Sequence, residues 1–354
     1  MFVRTMTMPL TYHEQININN IQKIRELAKD LPAFTGDFFR AMEINKASGT
    51  RRSYAYDLNI FFYFLKENNP YFRNHNIQSL PVSILDELQP IDIEEYLSFL
   101  SYYEKDGKVY INHDEGKARK LATLNTFFGY YHKKGYIKTN ASSAVDIPRV
   151  KEKNIIRLDP NEVAQLIKNI ESGEKLSDRQ KPWHAHNKIR DLAIIVTLLG
   201  TGIRVTELVG LDISDIDFDN GAMRVIRKGG NEDLVYFGDE TEEFLQTYMD
   251  ERINMEPKEG HKNALFISRN NTRITVRSVE RLVKKYASTV TTKKITPHKM
   301  RSTYGTALYH ETGDIYLVAD VLGHNNVNTT KKRYAAMKEE NKRGAANIVR
   351  LREP

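Results

Sequence analysis

Thr201-Gly202-Ile203-Arg204-Val205-Thr206-Glu207-Leu208 follows an apolar run, Ala193 to Leu199, that itself follows Arg190-Asp191. The run reads as a buried helix. It delivers an arginine and, three residues on and on the same helical face, a glutamate. Toward the C-terminus the pattern mixes types. Ala222 to Ile226 and Asp233 to Phe237 read as strands around Lys228-Gly229-Gly230-Asn231, a hairpin turn. Leu265-Phe266-Ile267 reads as another short strand. Val276 to Ala287, Lys299 to Glu311 and Ile315 to Leu322 read as helices, with Gly313 and Gly323 as natural stops.

Toward the N-terminus, Asp159-Pro160-Asn161-Glu162 starts a helix, with Asp as N-cap, Pro at the first position and Glu at the third. Lys138 to Leu158 lacks periodicity and reads as a linker. Before it the chain reads all-α. Ile21, Ile24, Leu27 and Leu31 place Tyr12 to Ile44 in a helix, and Gly49-Thr50 breaks the chain and offers a cap. Tyr54, Leu58, Phe61, Phe62 and Leu65 mark a second helix face, and further helices fall at Ile91 to Tyr103 and Gly116 to Lys134. The expected fold is mainly α with a small antiparallel β-sheet. Its parts are a helical extension (1–45), a helical domain (46–140), a linker (141–158) and an α+β domain (159–354) ending in a tail (335–354).

Bulk properties narrow the class. The chain has 354 residues, enough for two domains, with 40% apolar and 28% charged residues, as in soluble proteins. It has no apolar run of about 18 residues, so no membrane span is expected. The first residues lack the apolar core and cleavage site of a secretory signal. The absence of cysteine removes disulfides, thiolate metal sites and Cys nucleophiles, and fits a cytoplasmic location. Lys plus Arg number 53 against 46 acids, a net +7 that favours polyanions without singling out nucleic acid.

Four clusters in the second half carry chemistry: Arg204 with Glu207, Lys228 in the hairpin, His298 with Arg301, and Leu322-Gly323-His324 followed ten residues later by Tyr334. Read singly, each has an ordinary explanation as a surface charge, a solvated turn, a helix cap or one of 19 tyrosines. Their order and spacing are specific. T-G-x-R-x-x-E-L, a hairpin Lys, H-x-x-R, then L-G-H and Tyr together resemble the signature of the tyrosine recombinase (phage integrase) family. Thr329-Thr330 before the Tyr fit it too. In the first half, Thr50, Tyr54, Asp57-Leu58, Phe61 and Phe64-Leu65 resemble the family's core-binding pattern, as do Leu121, Leu124, Phe127-Phe128 and Asn140. Three positions depart from the pattern: Ala141 for Pro, Ser302 for His, and Arg227 for the Gly that often precedes the Lys. None is catalytic in the family.

The resemblance implies a SAM-like core-binding domain and a catalytic domain that form a C-shaped clamp on double-stranded DNA. It also implies the chemistry. Attack on a phosphodiester concentrates negative charge on the nonbridging oxygens, which suits the paired guanidiniums of Arg204 and Arg301. His298 is the expected general base for the Tyr334 nucleophile, and His324 donates to the phosphate. Lys228 is the expected acid for the leaving 5′ oxygen, and Glu207 orients His298 or Arg204. No cofactor is called for: a phosphotyrosine ester conserves bond energy without ATP, no P-loop motif is present, and no acid cluster suits paired Mg²⁺. Arg51, Arg52, Lys117, Arg119 and Lys120 are the expected DNA contacts.

Within the family, the extension and the motifs around residues 190, 228 and 298 are similar to the longer single-subunit Xer recombinases. That implies chromosome-dimer resolution at a dif-type site of inverted half-sites, by a homotetramer on two sites, with a cell-division DNA translocase as a further partner. The tail would dock on a neighbouring subunit. A mobile-element integrase and, further off, a type IB topoisomerase are the alternatives.

Overall fold

The computed structural model describes residues 10–148, 155–227, 230–323 and 327. The chain divides into two compact units between Lys153 and Asn154. Among the described residues, no helix is long and apolar enough to cross a membrane.

The first unit contains α1 (Tyr12–Ala28), α2 (Thr35–Glu43), α3 (Ser48–Asn68), α4 (Pro70–Arg73), α5 (Ile84–Glu87), α6 (Pro90–Phe99), β1 (Tyr103–Lys105), β2 (Lys108–Tyr110) and α7 (Asp114–Lys133). Four sequence expectations change here. Tyr12 to Ile44 is two helices, because Pro32 lies in the segment between them and cannot continue the i to i−4 ladder. Gly49 and Thr50 lie inside the first turn of α3; the break falls earlier, and Ser48 ties the helix start to α1 through Asn20 (3.0 Å) and Asn17 (2.6 Å). The unit is not all-α. The stretch expected as one helix to Tyr103 ends at Phe99, and β1 pairs antiparallel with β2 around Asp106-Gly107, both at positive φ (52° and 68°). Asp-Gly is the pair that such a two-residue turn favours. Finally, the unit runs past residue 140: Ala141 and Val145 are buried in its core, so part of the expected linker belongs to it.

That core is aromatic. Phe38, Phe61, Phe62, Phe127, Phe128 and Tyr131 are all buried, with Phe38 and Phe127 edge to face at 5.2 Å. Ile24 of α1, Leu31 of the connecting segment and Phe39 of α2 join the same cluster.

The second unit contains α8 (Pro160–Ser172), α9 (Lys181–Ala185), α10 (Lys188–Thr201), α11 (Val205–Gly210), β3 (Ile216–Asp217), β4 (Ala222–Ile226), β5 (Glu232–Tyr236), α12 (Asp239–Arg252), α13 (Val276–Ala287), α14 (Pro297–Thr312) and α15 (Ile315–Val321). The Asp159–Glu162 capping box opens α8. Residues 192–198 of α10 are buried on every side, between α8, α12 and α14. The sheet has order β3-β4-β5, all antiparallel, with Ile226 opposite Glu232 beside the turn. Leu265-Phe266-Ile267 is buried but forms no strand. Ala264 before it and Ile267 at its end form isolated bridges, and two of its carbonyls serve side chains: Leu265 O accepts from the Tyr248 hydroxyl (3.1 Å) and Ile267 O from Arg190 Nη1 (3.0 Å).

Candidate active site

The end of α10 builds the site. Gly202 closes that helix in the left-handed region at φ 63°. A Cβ there would lie 2.5 Å from the Tyr304 ring and 3.0 Å from Leu322, so α14 and the end of α15 approach to contact. Ile203 is buried, and Arg204 follows as the N-cap of α11. Its backbone N–H donates to Glu207 Oε2 (2.7 Å) and its Nη1 to Glu207 Oε1 (2.7 Å). Of the two partners considered for Glu207 in the sequence, Arg204 donates to both of its oxygens. The Glu207 side chain is 2% exposed and the Arg204 side chain 32%.

Arg301, on α14, is buried beneath Gly202. Its Nη1 donates to Gly202 O at 2.6 Å, and its Nη2 donates to Leu322 O. Arg204 Nη2 donates to the next carbonyl, Gly323 O, at 3.1 Å. A third guanidinium belongs to the same cluster. Arg227 Nη1 donates to Glu207 Oε2 (3.3 Å) and its Nη2 to Val321 O (3.5 Å). Three arginines thus meet the successive carbonyls of residues 321–323, where the C-terminal end of α15 leaves acceptors without helical donors. Arg227 is offset by its own partner Asp233 (2.8 Å), which leaves the charges of Arg204 and Arg301 against the one buried carboxylate of Glu207, a balance suited to an anion.

His298 is exposed at the second position of α14, three residues before Arg301 and on the same helical face. Lys228, His324 and Tyr334 lie outside the described residues, as does the tail 335–354. Among the described tyrosines, Tyr304 touches the site, and burial raises its phenol above the usual tyrosine range, which holds it neutral. Arg227 was read in the sequence only as a departure at a non-catalytic position. Its one signal there was its place immediately before the hairpin lysine.

In the first unit the expected DNA contacts divide. Arg52 and Arg119 are exposed, and Lys117 is half-buried with its ammonium on Ser101 Oγ (2.6 Å). Arg51 and Lys120 are buried instead. Arg51 pairs with Glu43, and Lys120 lies 3.4 Å from Asp57. Burial, partly offset by Asp57, lowers the Lys120 ammonium from its ordinary range. Asp57 also accepts two bonds from Arg119 and one from Thr123 Oγ1 (2.8 Å). Arg51 and Lys120 are therefore framework charges, while Arg52, Lys117 and Arg119 keep contact with solvent.

Known proteins resemble this chain over most of its length. The sequence pattern of the phage integrase family matches residues 156–341. The chain is 32% identical over 305 residues to the tyrosine recombinase XerC of Syntrophus aciditrophicus (strain SB), covering 84% of this chain and 90% of that protein. It is 28% identical over 345 residues to the tyrosine recombinase XerS of Streptococcus agalactiae serotype III (strain NEM316), covering 88% and 93%. Its fold is similar to that of the XerH site-specific recombinase, solved bound to a palindromic difH substrate as a post-cleavage complex. That match has a TM-score of 0.61 at 18% identity and covers 96% of this chain and 97% of that one.

Proposed function

The chain belongs to the phage integrase family of tyrosine recombinases, enzymes that cut and rejoin DNA, and from that premise we propose that it recombines specific DNA sites through a covalent bond to Tyr334. The observation that carries the reading is the convergence of Arg204 and Arg301 on the turn leading into His324. Two permanently charged donors, held by Glu207 and Gly202, suit the nonbridging oxygens of one phosphate.

The Tyr334 oxygen bonds to phosphorus while the bond from phosphorus to the 5′ oxygen breaks. The phenolic proton goes to His298, and the 5′ oxygen takes a proton from Lys228. Rejoining reverses each transfer. A phenol with a pKa of about 10 is roughly a thousandth ionised at neutral pH, so the base is needed. Each preorganised arginine is worth roughly 3–4 kcal/mol of barrier. With two guanidiniums in place of a Lewis acid, the chemistry calls for neither metal nor ATP.

Arg52, Lys117 and Arg119 supply phosphate contacts from the first unit, with Arg51 and Lys120 supporting them from within. The names of the XerC and XerS relatives support the finer reading, resolution of chromosome dimers at a dif-type site of inverted half-sites. On that reading four protomers assemble on two sites, the tail docks on a neighbour, and a cell-division DNA translocase acts as partner.

The test is Tyr334→Phe on a nicked duplex that traps the covalent intermediate, in excess EDTA. Wild type is expected to form a protein–DNA adduct, and the variant to bind DNA without one. An adduct that persists in the variant, or a strict need for a divalent ion, refutes the mechanism. Recombination between two copies of a dif-like palindrome tests the finer claim.

A further inference from the structure

Arg227 is the member of the arginine cluster that the mechanism leaves without a role. Its main chain closes the turn that carries Lys228: its N–H donates to Asn231 O (2.8 Å), and its carbonyl accepts from the Gly230 N–H (3.0 Å). Its side chain, 11% exposed, joins three elements. Nε donates to Asp233 on β5 (2.8 Å), Nη1 to Glu207 on α11 (3.3 Å) and Nη2 to Val321 O at the end of α15 (3.5 Å). The guanidinium also covers Gly323, where a Cβ would lie 2.9 Å from it. A buried guanidinium needs partners to offset its desolvation. Here the partners are spread so that one residue holds both the strand returning from the turn and the carboxylate that holds Arg204.

We infer that Arg227 is a positioning residue, fastening the root of the β4–β5 turn to the Arg204–Glu207 pair so that Lys228 starts from a fixed point relative to the phosphate. A lysine stem has four rotatable carbons, and on an untethered hairpin tip its ammonium would sample many positions. Fixing the residue immediately before it confines that search. The inference rests on Lys228 being the proton donor to the leaving 5′ oxygen.

The experiment is single-turnover cleavage by the full-length protein on nicked duplexes whose scissile phosphate carries either the normal bridging 5′ oxygen or sulfur, which leaves without a proton. The proteins are wild type, Lys228→Ala, Arg227→Met and Asp233→Asn. Arg227→Met should cleave the oxygen substrate about ten- to a hundredfold slower, the range for loss of a supporting contact around a reactive group. It should cleave the sulfur substrate near the wild-type rate and bind DNA unchanged in a band shift. Asp233→Asn, which weakens the tether at a side chain 46% exposed, should show the same pattern more weakly, and it decides the matter if Arg227→Met does not fold. Equal slowing of Arg227→Met on both substrates, or no slowing on oxygen, overturns the inference. So does a wild-type rate for Asp233→Asn on oxygen. If Lys228→Ala is rescued by sulfur and Arg227→Met is not, the positioning role alone fails. If Lys228→Ala is equally slow on both, the proton-donor reading fails and takes the inference with it.

Discussion

Glu207 balances the charge of the site. One carboxylate, 2% exposed, accepts from the Arg204 backbone, the Arg204 guanidinium and Arg227. Glu207→Gln keeps its shape but turns one acceptor into a donor that faces cations. The variant is expected to lose about 1–3 kcal/mol by urea unfolding, the range for a buried group left without its partner. The lower half is favoured, because Arg204 is partly solvated. Cleavage should slow as well, and unchanged stability would place the balancing charge elsewhere. Much at this scale was legible in sequence. Arg204, Glu207, His298 and Arg301 stand in a spaced pattern, and such patterns survive without coordinates. Arg227 does not, since its partners Glu207 and Val321 lie 20 and 94 residues away. Nor does the difference between Arg52 and Arg51: one letter gives charge, and only packing decides whether that charge meets water.

Among the elements, α9, α10 and α13 enclose a polar chain that was not legible in the sequence. Tyr286 donates to Asp191 Oδ2 (2.8 Å), which also takes Lys285 (3.2 Å), while Arg190 holds the other oxygen (2.6 Å). With the Tyr286 proton so engaged, His184 Nδ1, 3.0 Å away, is the donor to the phenol oxygen. Its Nε2 is then the bare nitrogen, buried without a partner. Burial first, and then the Lys285 charge, lower the His184 pKa. The sign follows from linkage. The unfolded chain takes up a proton near pH 6.5 and the folded chain does so only at lower pH, so the contribution is full above that value and is lost as pH falls through the interval. The urea midpoint is expected to drop on acidification below about pH 6.5, and His184→Gln to flatten that part of the profile. An identical profile in the variant assigns the titration to other groups. Elements with local signals were readable: the cap at Asp159, the β4–β5 turn and the stop at Gly313. Those missed had signals too, Pro32 within one apolar periodicity and Asp106-Gly107 at the end of another, but a strong period masks a short interruption.

On the scale of the whole chain, the helices before residue 45 are part of the first unit's core. Ile24, Leu31, Phe38 and Phe39 lie in one cluster with Phe61, Phe62 and Phe127. At roughly 1.5–3 kcal/mol for each buried side chain, these four contribute about 6–12 kcal/mol. That is as large as the whole net stability of a typical domain, about 5–15 kcal/mol. A chain beginning at Lys46 is therefore expected to be insoluble, or to lack the first unit's helical circular dichroism, and to lose DNA binding. A soluble, DNA-binding truncation would show the two helices to be dispensable. The arginines at the end of α15 carry a different consequence. In the free protein Arg204 and Arg301 are bound to Gly323 and Leu322. On the proposed function, a phosphate that takes those donors displaces two carbonyl dipoles, and loading DNA is then a ligand exchange. The affinity measured for a site is then a net quantity, reduced by whatever the displaced turn gives up. On that reading, the two donors stay with the chain's own carbonyls until a polyanion competes for them.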